Sequence, residues 1–173
     1  MLTFATRGSF PKSRLIQFMN SMGLEKNFFL LTIEEVLDSE ILIYVEKNER
    51  ILGIGGIRFL PGTVMKFFKI PIDFVVVLAE FQGQSIGRKI RTEIDKAGQD
   101  RFNYFVATMA KDNKKALNLY KKSGFKYLGA TNDRIYQLRP SNFSGLIIYC
   151  LLKVGFYIIM PIRVLWKKIF SIS

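Results

Sequence analysis

The sequence predicts an α/β domain with a mixed sheet, followed by an apolar helical tail. Three patterns predict it. Two buried-type strands, Asp73–Leu78 and Tyr104–Met109, are joined by a Gly-containing turn and a helical stretch. A hairpin pattern precedes them, which makes the sheet mixed. The stretch from Phe143 to Phe170 is too long and too apolar to be merely the end of a sheet. With 173 residues, the chain suits one domain of ordinary size, residues 1–140, and an appended segment, residues 141–173.

Each element has a local reason. Thr3–Thr6 reads as a short first strand. Pro11–Met22 reads as a helix, with Pro near its start, apolar Leu15, Ile16, Phe18 and Met19, and Gly23 as a stop. Glu34–Leu37 is ambiguous. Ile41–Val45, the turn Lys47–Arg50 and Ile51–Leu60 form the hairpin, broken by Pro61-Gly62, and Val64–Ile70 reads as a further short strand. Asp73–Leu78 is continuous and β-branched, as a strand buried on both faces should be. Apolar Ile86, Ile90, Ile94 and Ala97 recur at steps of three and four, so a helix is expected over Arg88–Ala97. Asp112–Lys122 reads as a helix with Asp112 as N-cap and Gly124 as its stop. Phe125–Leu128 and Arg134–Leu138 read as closing strands.

Composition narrows the chemistry. The 26 Lys and Arg outnumber 14 Asp and Glu, a formal excess of +12 that favours anionic partners or, equally, a self-repelling soluble surface. One cysteine, Cys150, and no histidine exclude an internal disulfide, histidine-ligated metals and Ser-His-Asp catalysis. A reducing compartment is the natural setting. The first residues lack the basic patch and apolar run of a signal peptide.

The chemistry concentrates where the Asp73–Leu78 strand turns into a helix. N–H groups in the first turn of a helix have no backbone partner, and the helix dipole favours an anion there. Gln82-Gly-Gln-Ser-Ile-Gly-Arg88 occupies this position, with Arg88 and Lys89 adding positive charge. The spacing is neither a Walker A motif nor G-x-G-x-x-G, so nucleotide hydrolysis and dinucleotide binding are not expected.

Residues 77–88, Val-Leu-Ala-Glu-Phe-Gln-Gly-Gln-Ser-Ile-Gly-Arg, resemble the acetyl-CoA signature Q/R-x-x-G-x-G/A of the GNAT acetyltransferase superfamily. Further on, Asn113, Ala116, Leu119, Tyr120, Lys122, Gly124 and Phe125 match its second hallmark, N-x-x-A-x-x-L-Y-x-K-x-G-F. The resemblance covers about residues 1–140 and implies a mostly antiparallel mixed sheet with flanking helices. Two departures stand out. Ser85 replaces the first glycine of the signature, which restricts the backbone if that position needs positive φ. Ala79 stands where many members have Pro.

The resemblance also implies roles. Backbone N–H groups of Gln82, Gly83, Gln84, Ser85, Ile86, Gly87 and Arg88 would hold the coenzyme pyrophosphate. Peptide groups near Val77 and Leu78 would pair with the pantetheine arm as a strand would, and Asn113 would contact the coenzyme. Tyr120 would be the general acid that protonates the departing thiolate. The general base is open among Glu80, Glu34, Glu35 and Asp38, with Glu80 preferred for its place at the strand end. The implied co-substrate is acetyl-CoA, with no metal, and the acceptor is a primary amine.

Residues 141–173 contain Lys153, Arg163, Lys167 and Lys168 and no acid. Gly145–Ile162 approaches the roughly 20 apolar residues of a membrane span, but Lys153 interrupts it. At 100° per residue the four cations share one stripe opposite a broad apolar face, which suits an in-plane helix on an anionic membrane. Packing on protein and a spanning anchor remain open, and Pro161 is expected to kink or divide the helix. The expected enzyme is thus cytoplasmic and peripheral on the inner membrane face. Nucleic acid is not an expected partner, because no reading motif is present. The alternative is a non-catalytic CoA-binding or membrane-recruited module.

Overall fold

The computed structural model describes residues 12–22, 33–59 and 70–170, with side chains as far as residue 155 and at residue 157. The expected strand at Thr3–Thr6 and, apart from Ile70, that at Val64–Ile70 lie outside the described residues. The chain divides into two compact units, Met1–Phe102 and Asn103–Ser173.

The first unit contains α1 (Lys12–Ser21), α2 (Ile33–Leu37), β1 (Ile41–Lys47), β2 (Arg50–Phe59), β3 (Pro71–Val77) and α3 (Ile86–Gly98). The expected hairpin is β1–β2, antiparallel, with Asn48 and Glu49 as its two-residue turn. Both have positive φ, 50° and 63°, the backbone of a type I′ turn whose twist matches the strands it joins. β3 adds antiparallel to β2, with Gly53 opposite Val77 and Ile57 opposite Asp73.

The alternation of side chains along β3 separates two faces. Phe74, Val76 and Leu78 join Leu42, Tyr44 and Ile54 in a buried cluster closed by Leu15, Phe18 and Met19 of α1. The face bearing Asp73 receives α3. There β2 presents glycines: a Cβ on Gly55 would lie 2.5 Å from Ile90 Cγ2 and 2.8 Å from the Phe74 carbonyl oxygen, so only a bare backbone lets α3 seat this closely.

The second unit contains β4 (Tyr104–Ala110), α4 (Lys114–Lys122), β5 (Lys126–Ala130), β6 (Arg134–Pro140) and α5 (Phe143–Phe170). β6 lies between β4 and β5 and is antiparallel to both. The helix cap is one residue later than expected. Asn113, not Asp112, is the N-cap of α4, its Oδ1 accepting from the Ala116 N–H at 3.0 Å, because a cap side chain must reach the third N–H of the helix. Gly124 ends α4 with φ 82°, as a C-terminal glycine does.

α5 is anchored on one face at its start. Asn142 Oδ1 accepts from the Gly145 N–H at 2.9 Å, and Tyr149 Oη donates to the Tyr127 carbonyl at 3.1 Å. A Cβ on Gly145 would overlap the Asn103 carbonyl, so the helix touches backbone there. Its other face is exposed and apolar: Phe143, Ile147, Leu151, Val154 and Tyr157. α5 runs unbroken from Phe143 to Phe170, so Pro161 does not divide it. No helix among the described residues is long and apolar enough to cross a membrane.

Candidate active site

The loop after β3 is built from hydrogen bonds that leave the start of α3 open. Leu78 donates to the Leu52 carbonyl at 3.0 Å and its own carbonyl accepts from Phe81 at 3.0 Å, closing a short 3₁₀ turn over Ala79–Phe81. This turn forms with Ala79 in the position where proline is common. Gln82 then folds back, its Nε2 donating to the Val77 carbonyl at 3.4 Å. Gly83 has φ 87°, with open space where a Cβ would stand.

Ser85 is the N-cap of α3 and adopts the left-handed conformation, φ 62° and ψ 10°. Its side chain makes no capping bond to the helix. The first helical bond is donated by Lys89 to Ser85 O at 3.0 Å. The N–H groups of Ile86, Gly87 and Arg88 therefore precede the ladder, at the positive end of the helix dipole and beside the side chains of Arg88 and Lys89. Successive N–H groups in such a turn form a concave anion cradle, and this donor set fits a diphosphate.

Glu80 lies in the 3₁₀ turn, exposed, 2.5 Å from Arg50 Nη2. Arg50 also stacks over the Phe81 ring at 5.6 Å. A hydrogen bond from its own backbone N–H lowers the Glu80 carboxyl most; desolvation pushes it back up, and the hydrogen bond and charge of Arg50 add to the lowering, so that it stays below the usual carboxylate range. Arg50 also lines a cleft of about 290 Å³ between α1 and the β1–β2 turn, where polar Arg14, Gln17, Ser21, Asn48 and Glu49 meet apolar Phe18 and Ile51. Of the other carboxylates considered, Glu35 pairs with Arg58 at 3.1 Å, and Glu34 and Asp38 are exposed on and just after α2.

In the second unit the other hallmark segment forms α4 and the turn after it. Tyr120 is 5% exposed and packs edge-to-face on Phe125, ring centroids 5.0 Å apart at 82°. Phe125 in turn lies under the Arg139 guanidinium, which is 5.7 Å from its centroid and 4.9 Å from that of Phe105. Asn113 spends its Oδ1 on the helix cap.

The family profile described as Acetyltransferase (GNAT) family matches residues 10–125. The chain belongs to this GNAT family. No curated protein matches it. Solved structures share its fold. The GNAT-family acetyltransferase of Streptococcus pneumoniae is 22% identical, with a TM-score of 0.60, over 81% of this chain and 98% of that one. yncA of Salmonella typhimurium, solved with its cofactor acetyl-CoA, is 15% identical with a TM-score of 0.63, over 82% and 95%. The ribosomal-protein-S18-alanine N-acetyltransferase of Escherichia coli is 13% identical with a TM-score of 0.60, over 83% and 96%. At these identities the likeness is one of fold. It agrees with the α/β architecture expected from the sequence: six strands, three per unit and antiparallel within each, with flanking helices.

Within this GNAT chain the serine substitution falls on a position that does require positive φ. A left-handed residue with a Cβ is strained by about 1–2 kcal/mol. Glycine would relieve that strain and return part of the gain as unfolded-chain entropy. Ser85→Gly should therefore raise stability by about 0.5–1 kcal/mol, read as a higher urea midpoint at unchanged slope.

Arg50 was invisible to motif reasoning. It stands thirty residues before Glu80 and meets it only because the β2–β3 register brings the start of one strand to the end of the other.

Proposed function

We propose that this GNAT protein moves an acetyl group from acetyl-CoA to a primary amine, at the surface of an anionic membrane. The observation that carries the acetyl-CoA reading is the start of α3, where Ser85 makes no side-chain cap and the N–H groups of Ile86, Gly87 and Arg88 precede the helical ladder. Family membership supplies the reaction class.

In this reading the loop from Gln82 to Arg88 holds the diphosphate. Peptide groups near Val77 and Leu78 pair with the pantetheine arm as a strand would; the Leu78 N–H and carbonyl are engaged within the first unit, and the Val77 carbonyl is released to the arm when Gln82 Nε2 gives it up. Asn113 contributes its Nδ2 amide, its Oδ1 being occupied. The amine nitrogen bonds to the thioester carbon, the carbon–sulfur bond breaks, and Tyr120 gives the departing thiolate a proton. Glu80 accepts the proton that the amine loses. The cleft shared by Arg50 and Glu49 suits a polar amine such as an amino sugar, a polyamine-like metabolite or a protein amine.

The test is release of the coenzyme thiol, with mass detection of the acetylated product, across a panel of those three amine types. At least one should turn over. Retained acetyl-CoA binding with silence on every amine would instead favour a non-catalytic coenzyme-binding module.

Because its pKa is lowered, Glu80 stays ionised through the neutral range, and its ion pair with Arg50 is lost only as pH falls through that lowered value. The rise of kcat/KM with pH should therefore follow the ammonium of the acceptor. A base so far below the amine's pKa gives little catalysis. Glu80→Gln should lower kcat/KM by about tenfold and leave the pH midpoint in place; a midpoint that moved with the variant would assign the limb to Glu80.

The membrane reading rests on α5. One face is docked by Gly145 and Tyr149, and the other exposes an apolar stripe in a segment with four cations and no acid. Lys153 lies 5.5 Å from the Tyr149 ring, and its hydrogen bond with Tyr149 raises its pKa, which keeps it cationic. Such a helix lies in the headgroup plane, apolar side down. The protein would then be peripheral, on the inner face of a cell membrane.

A further inference from the structure

Arg91 and Asp73 are the most deeply buried ion pair among the described residues, with side chains 1% and 0% exposed. Arg91 Nη1 lies 2.8 Å from Asp73 Oδ2, and Nη2 lies 2.6 Å from Asp95 Oδ1, one helical turn further on. Burying such charges is costly, and apolar residues of similar size serve a core equally well or better. What a guanidinium held between two carboxylates provides in addition is a fixed place, since two ion pairs from different elements must be kept at once.

A fixed place matters at this contact. α3 sits over Gly53 and Gly55, where the sheet has no Cβ atoms to interlock with Ile90 and Ile94. A bare trough sets how near the helix lies but resists sliding and rolling poorly. Asp73 belongs to β3, the strand whose far end begins the loop, and Arg91 lies five residues into α3, about 7.5 Å along the axis from Ile86. The pair thus ties the helix to the same strand that launches the loop.

We infer that Arg91 and Asp73 are positioning residues, which hold the first-turn N–H groups of α3 in register with the loop and so set affinity for the coenzyme diphosphate. This rests on the acetyl-CoA reading above. The experiment compares wild-type protein, the apolar double variant D73L/R91M and the conservative R91K, with acetyl-CoA titrated by calorimetry and kcat and KM measured separately. The double variant should melt at or above the wild-type temperature, yet bind acetyl-CoA about tenfold more weakly, with KM rising in step and kcat changing less than twofold. R91K keeps the charge and loses the guanidinium, so about a threefold weakening is expected even if the double variant does not fold. A merely structural pair would alter melting without altering affinity: folded variants that bind as tightly as wild type overturn the inference alone. Absence of uptake by wild-type protein would overturn the diphosphate reading, and this inference with it.

Discussion

Replacing Tyr120 by Phe should lower kcat about a hundredfold while leaving acetyl-CoA affinity within about threefold. A positioned general acid contributes roughly 10²–10⁴ in rate. The lower end applies here, because a thiolate is a tolerable leaving group without a proton. The structure makes the variant a clean one. Tyr120 is held by its ring, edge-to-face on Phe125, and a phenylalanine ring keeps that contact and the burial of α4 against its unit. The lost hydroxyl should change stability by about 1 kcal/mol. A fall in kcat with binding preserved separates an enzyme from a coenzyme-binding module, which has no use for a proton donor. Unchanged turnover would move the proton to solvent and leave Tyr120 as core packing.

The second large effect is expected on α5. Ile147, Leu151 and Val154 are 48%, 67% and 57% exposed on the face away from the docked Gly145 and Tyr149. Changing all three to Glu should cost little stability, since exposed helical positions tolerate Glu. Full burial of one such aliphatic side chain is worth about 1.5–3 kcal/mol. Even half of that, over three residues, is roughly 2–4 kcal/mol, and three new carboxylates repelled by anionic lipid add to it. Binding to vesicles of one-third phosphatidylserine should thus weaken at least about a hundredfold, with the melting temperature nearly unchanged. Removing the whole of residues 141–173 is a poorer test, because the start of α5 is part of the second unit's packing. If the wild-type protein ignores such vesicles, the stripe is not a lipid face.

How much of this was legible beforehand differed by residue. The hairpin, α1, β3, α3 and α4 follow from periodicity and from Gly and Pro punctuation, which are local. The turn of Gln82–Arg88 into α3 was legible for the same reason: it is contiguous backbone. The α4 cap slipped by one residue, because Asp112 and Asn113 are both good caps and only side-chain reach chooses between them. The sequence could state the condition under which Ser85 is strained, and its φ of 62° meets it. The long-range pairs were harder. Glu80 with Arg50 depends on strand register. Asp73 with Arg91 left a trace, an acid in a β-branched strand and an arginine between Ile90 and Ile94 on an apolar helix face. No rule of spacing joins those two traces.

The exposed Cys150 has a practical corollary. It is the chain's one sulfhydryl and lies within the same three turns as Ile147, Leu151 and Val154. A polarity-sensitive dye can be coupled there without engineering, and its emission would report immersion directly. Air oxidation, for the same reason, can link two copies and no more.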